Sequence, residues 1–124
     1  MEIISTEKAP PPGGHYSQAL VHNNLVFVSG QLPVNPETGE RVLSSIEEQT
    51  LQVLKNLEAI LKAAGSSRDR VLKVTVYISD ISLWGRLNAV YSEFFKDHRP
   101  ARAVVPTKEL HHGFQVEMEA IATI

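Results

Sequence analysis

Cysteine is absent from the 124 residues. That excludes disulfides, a thiol nucleophile and a Cys-ligated zinc, and it accords with a reducing, cytoplasmic-type compartment. Charge of one sign is also missing: 12 basic and 14 acidic residues are interspersed, for a formal net charge of -2. Nucleic-acid binders carry a basic face that neutralises phosphates, so this balance gives such a role no support. No apolar run approaches the roughly 20 residues of a membrane span. Met1 to Pro12 lacks the basic and apolar regions of a signal peptide. There is no GxGxxG, no Walker loop and no HExxH. The Gly13-Gly14 pair precedes no helix pattern, so it is not a phosphate cradle. His15, His22, His98, His111 and His112 show no zinc-motif spacing, and neither a metal nor a cofactor is expected.

What is present fits one α+β domain over residues 1–124, large enough to bury a core unaided. Residues 16–31 read as a β-hairpin, with Ala19-Leu20-Val21 and Leu25-Val26-Phe27-Val28 around an Asn23-Asn24 turn. Ser45-Ile46-Glu47-Glu48 is a capping box. The helix it opens carries an apolar stripe at Ile46, Leu51, Val53, Leu54, Leu57, Ile60, Leu61 and Ala64, and stops at Gly65. Residues 71–79 alternate, with Leu72, Val74, Val76 and Ile78 on one face. A second helix is expected from an N-cap at Ser82 to about Phe95, weakened by Gly85. Ala101 to Val105 is a short strand. Phe114 to Ile124 is a longer one with Phe114, Val116, Met118, Ala120 and Ala122 on one face.

Two helices covering the apolar face of such a sheet make a two-layer sandwich. The other face collects Lys73, Thr75, Tyr77, Arg102, Val104, Glu117 and Ile121. It is too polar for a core and too apolar for free solvent, so we expect it to meet other subunits in a closed oligomer.

Arg102, in Pro100-Ala101-Arg102, is the foremost candidate for chemistry. The planar guanidinium fork suits a carboxylate held by two parallel hydrogen bonds; a salt bridge to Glu117 or Glu119 is the alternative. Glu117 and Glu119 share a strand face about 6.6 Å apart, and one of them can orient a water or accept its proton. Tyr16 follows the Gly-rich loop and can offer a hydroxyl. Gly30, after Ser29, permits close backbone approach by a strand or a ligand.

In order, Gly14-His-Tyr-Ser-Gln-Ala19, Val28-Ser-Gly-Gln-Leu-Pro-Val-Asn-Pro-Glu-Thr-Gly-Glu40 and Asn56-Leu-Glu-Ala-Ile-Leu-Lys-Ala-Ala-Gly65 resemble the RidA/YjgF family of enamine/imine deaminases. So do Val71-Leu-Lys-Val-Thr-Val-Tyr-Ile-Ser-Asp80, Asn88-Ala-Val-Tyr-Ser-Glu-Phe-Phe95, Pro100-Ala-Arg102 and Val116-Glu-Met-Glu-Ala-Ile-Ala122. The resemblance implies a chorismate-mutase-like α+β sandwich with a mostly antiparallel sheet. It further implies a homotrimer whose sheets form a central barrel with clefts between subunits. By the same resemblance Arg102 grips the substrate carboxylate and Glu117 stands near the attacking water. Tyr16 lines the cleft, and Ser29 and Asn88 match positions near the pocket. The implied reaction is hydrolysis of 2-aminoacrylate and related 2-iminopropanoate or 2-iminobutanoate species to 2-oxo acids and ammonia, without a cofactor.

The chain departs from the family pattern at three places. His15 stands where proline is common, Val104 where cysteine is frequent, and Leu110-His111-His112-Gly113 where a Leu-Pro segment is common. The first and third bear on pocket shape. Two other functions stay open on these residues: a non-catalytic trimer that senses a 2-oxo acid, and the endoribonuclease or translation-inhibitor role with which the family is labelled.

Overall fold

The computed structural model describes residues 1–124. Its elements run β1 (Glu2–Ile4), β2 (Ala19–His22), β3 (Leu25–Gln31), α1 (Ile46–Ala63), β4 (Val71–Ile78), α2 (Trp84–Phe95), β5 (Ala101–Pro106) and β6 (Val116–Thr123), with three short 3₁₀ turns between them. Asn23 and Asn24 adopt φ of 49° and 63°, the two left-handed conformations a tight hairpin turn requires, and they join β2 to β3. Ser45 caps α1 by accepting from the Glu48 amide at 3.1 Å. Gly65, at φ 81°, lets the chain leave that helix.

The strands form one sheet in the order β1-β2-β3-β6-β4-β5. Every pairing is antiparallel except β4 with β5. That parallel step follows from the connection: α2 carries the chain back along the sheet before β5 starts, as a crossover must. Both helices lie on one face. Val53, Leu54, Leu57, Ile60 and Leu61 of α1 and Leu87, Tyr91 and Phe95 of α2 share a core with Val74, Val76, Ile78, Val116, Met118, Ala120 and Ala122 of the sheet. Asn56 is buried with them and donates to the Leu32 and Val34 carbonyls at 3.1 and 2.9 Å, which fastens the turn-rich 33–40 segment to the helix. No helix is long and apolar enough to cross a membrane.

Several expectations are corrected. Strand β1 was not foreseen; it is three residues long, pairs with β2 and places Ile4 in the core. Leu51 and Leu72 are exposed. Leu51 falls off the α1 stripe, and a register shift between Val71 and Lys73 turns Leu72 outward while Val71 enters the core. The turn before α2 is capped by the Asp80 side chain, which accepts from the Ser82 amide, and α2 itself begins at Trp84. The largest correction concerns β5. Arg102 is in register with Val74 and Val104 with Val76, so both side chains belong to the helix-covered face and not to the open one. The open face carries Ala101 and Ala103 there instead.

Elsewhere the open face is as expected. Leu20, Phe27, Ile121 and Lys73 stand abreast across β2, β3, β6 and β4, followed by Glu119 beside Thr75 and Glu117 beside Tyr77. Phe27 is 43% exposed, although its neighbours in that row are also apolar.

Candidate functional site

The predicted residues fall into two groups on opposite faces of the sheet. The first is built by β5 and α2. Arg102 leaves the start of β5 toward α2 and donates from Nη1 to Asn88 Oδ1 at 2.9 Å. Its guanidinium carbon lies 4.7 Å from the centre of the Tyr91 ring and 5.6 Å from that of Trp84, a cation–π setting that fixes the plane of the fork. Trp84, Asn88 and Tyr91 are spaced four and three residues apart, one face of one helix; that spacing is the signal by which Trp84 and Tyr91 could have been found in the sequence.

Arg102 has no carboxylate partner. The ion pairs of the chain are Lys62–Glu58, Arg68–Glu58 and Arg86–Glu47, so the anticipated bridge to Glu117 or Glu119 does not form. A half-buried guanidinium with one neutral acceptor retains donors for an anion. Burial pushes the Tyr91 phenol up to about 12, against the opposing charge of Arg102, so the ring under the guanidinium stays neutral.

The second group lies on the open face where β3 meets β6. Between Val28 and Gln31 the β3–β6 register shifts, leaving Ser29 and Gly30 opposite the single residue Glu119, a β-bulge. The Glu117 carboxylate occupies the space above Gly30: a Cβ built on that glycine collides with Glu117 Oε2. Burial raises the Glu117 pKa, His111 opposes the rise, and the charge of Glu119 adds to it. Glu119 accepts the Tyr77 hydroxyl at 2.5 Å, and that bond raises the phenol's pKa.

Ser29 anchors this group to the N-terminal loop. Its hydroxyl donates to the Ser17 carbonyl at 2.6 Å and its amide to the Gln18 carbonyl at 3.0 Å. Gln18 is buried and bonds to Thr6, Ala9 and Pro10, so the Pro-rich stretch is pinned down. Next to this strap Tyr16 is half exposed, its hydroxyl accepting from the Gly13 amide at 3.1 Å. His111 and His112 occupy a 3₁₀ turn with edge-to-face rings 5.6 Å apart.

Arg102 with Asn88, and Tyr16 with Ser29, Gly30 and Glu117, are therefore two separate clusters. One offers a cation for a planar anion, the other a carboxylate whose pKa is raised by burial. Between them they supply what addition of water to an activated carbon needs, but one chain does not bring them together.

The sequence profile described as endoribonuclease L-PSP matches residues 6–124. A RutC family protein of Pyrococcus abyssi is 50% identical over 121 residues, 98% of this chain and 95% of that one. The chloroplastic Reactive Intermediate Deaminase A of Arabidopsis thaliana is 45% identical over 123 residues, 99% of this chain and 66% of that protein. The crystal structure of E. coli TdcF with bound serine superposes with a TM-score of 0.95 at 38% identity, covering 100% of this chain and 99% of that one. On this match in sequence and fold, the chain belongs to the endoribonuclease L-PSP family, which includes the RutC and RidA/YjgF proteins.

Proposed function

We propose that the protein hydrolyses reactive enamine/imine intermediates, 2-aminoacrylate and its 2-imino acid relatives, to 2-oxo acids and ammonia, in clefts between the subunits of a homotrimer. The observation that carries this reading is Arg102, half-buried, oriented by Asn88 and two aromatic rings, and without a carboxylate partner. The name of the Arabidopsis relative and the serine bound to TdcF favour an amino-acid-like, carboxylate-bearing substrate.

In this mechanism Arg102 grips the substrate carboxylate through the donors that Asn88 leaves free. The enamine tautomerises to the imine. Glu117 from a neighbouring copy orients a water and takes its proton as the oxygen bonds to the imine carbon. That proton passes to nitrogen to give the carbinolamine, whose hydroxyl proton then also moves to nitrogen as the C=O forms, the C–N bond breaks and ammonia leaves the 2-oxo acid. Because burial lifts the Glu117 pKa, its carboxylate is a better base toward the attacking water. The substrate is reactive by itself, so positioning supplies most of the acceleration. The apolar row Leu20-Phe27-Ile121 accords with the open face as the subunit contact.

The test is release of 2-oxo acid from 2-aminoacrylate generated in situ, comparing wild type with Arg102→Ala after confirming that both have the same oligomeric state. Acceleration that the variant loses is expected. Binding of a 2-oxo acid without turnover would replace the deaminase reading with a sensing role.

A further inference from the structure

Arg102 is not alone in its cavity. A depression of about 490 Å³ opens where α2 ends and β5 begins, and its lining includes Asn88, Ser92, Lys96, His98 and Arg99 as well as Arg102. That size accommodates a small ligand. No carboxylate lines it; Glu93 and Asp97, the nearest acids in sequence, lie outside. None of its three permanent cations is in an ion pair. Three uncompensated positive charges around one cavity attract more than the single carboxylate that Arg102 can hold.

Two further observations point to this cavity. Lys96, at the C-terminus of α2, has φ 56° and ψ −117°, a conformation glycine adopts without cost and a lysine does not. That backbone ends α2 and leaves Lys96 on the lining of the cavity. Tyr91 forms part of the wall, with its hydroxyl buried beneath the surface and without a hydrogen-bond partner. The Lys96–Arg99 segment is also braced: the Lys96 amide donates to the Ser92 carbonyl at 2.8 Å, and His98 Nε2 lies 2.7 Å from the Val71 carbonyl.

We infer that Lys96 and Arg99 form a side-chain subsite for a second anionic group, so that the protein favours imino and oxo acids bearing a side-chain carboxylate, the short 2-imino dicarboxylates. This rests on the reading that Arg102 holds the α-carboxylate. Lys96 and Arg99 are specificity residues in this scheme and take no part in bond making.

Calorimetric titration of 2-oxobutanoate and 2-oxoglutarate at fixed ionic strength into wild type, Lys96→Gly, Arg99→Ala and Arg102→Ala separates the two claims. Glycine suits the backbone at position 96, so Lys96→Gly folds with unchanged or higher Tm. Wild type is expected to bind 2-oxoglutarate about tenfold or more tighter than 2-oxobutanoate, and that ratio falls about tenfold in Lys96→Gly and in Arg99→Ala, the scale of one charge-assisted hydrogen bond. Equal affinities in wild type, or a ratio unmoved by both substitutions, would overturn the subsite. Retention of both ligands by Arg102→Ala would instead overturn the α-carboxylate reading.

Discussion

Gly30→Ala displaces the Glu117 carboxylate without replacing the residue that carries it. The added methyl lands on Glu117 Oε2 and leaves the carboxyl carbon and Cγ at 3.2 and 3.5 Å. The stem of Glu117 therefore needs only a small adjustment, while the carboxylate must swing out of the space above Gly30. Moving a side chain off its preferred rotamer costs about 0.5–1.5 kcal/mol, and replacing a strand glycine by alanine returns about 0.5–1 kcal/mol. Gly30 is not in the left-handed region, so no backbone strain enters. Stability should stay within about 1 kcal/mol of wild type, a Tm change of no more than about 5 °C. Activity should not: displacing a reacting group by about 1 Å costs about a hundredfold. The assay is kcat/KM for 2-oxo acid release beside a thermal melt. Undiminished kcat/KM in a folded, correctly assembled Gly30→Ala protein would refute the placement of Glu117 at the reacting carbon.

Other outcomes follow from the same geometry. Arg102→Lys keeps the charge but loses the fork and its stacking on Tyr91 and Trp84, so 2-oxo acid affinity measured by calorimetry falls about 10–100-fold. Glu117→Gln lowers kcat about 10²–10⁴-fold. The folded-state pKa of Glu117 is raised, so its ionisation costs stability as pH rises through that value; a melt at pH 7 should show the Gln variant at higher Tm. The acid limb of the pH–rate profile is then shifted upward from the ordinary carboxylate value. It moves further up in His111→Ala and down in Glu119→Gln, since those charges oppose and augment the shift. Phe27→Glu puts a charge into the row beside Leu20 and Ile121. It should leave a folded monomer in sedimentation, with activity lost.

Legibility in the sequence followed periodicity. The Asn23-Asn24 hairpin, α1 and the alternation of β6 could be read directly, because each is fixed by its own turn, cap or repeat. The face of β5 could not. Alanines and valines flank Arg102, so Ala101–Pro106 shows no alternation, and its orientation comes from the parallel register with β4. Leu72 misled for a related reason, since a bulge displaces it by one residue against β6. The family motifs named Arg102 and Glu117 as a pair, yet nothing local to either residue indicates that they leave the sheet on opposite sides. Trp84 and Tyr91 were missed: their spacing with Asn88 marks one helical face, but nothing local marks that face as the seat of an arginine distant in the chain.

That opposition has a genetic consequence. Where each cleft takes its cation from one chain and its carboxylate from the next, two dead proteins can repair each other. Arg102→Ala and Glu117→Ala chains, each inactive, would on denaturation and reassembly together yield mixed trimers in which about a quarter of the clefts inherit both intact residues. Two such alleles would complement in one cell, whereas either defect beside a wild-type copy would dilute the activity of the trimers it entered.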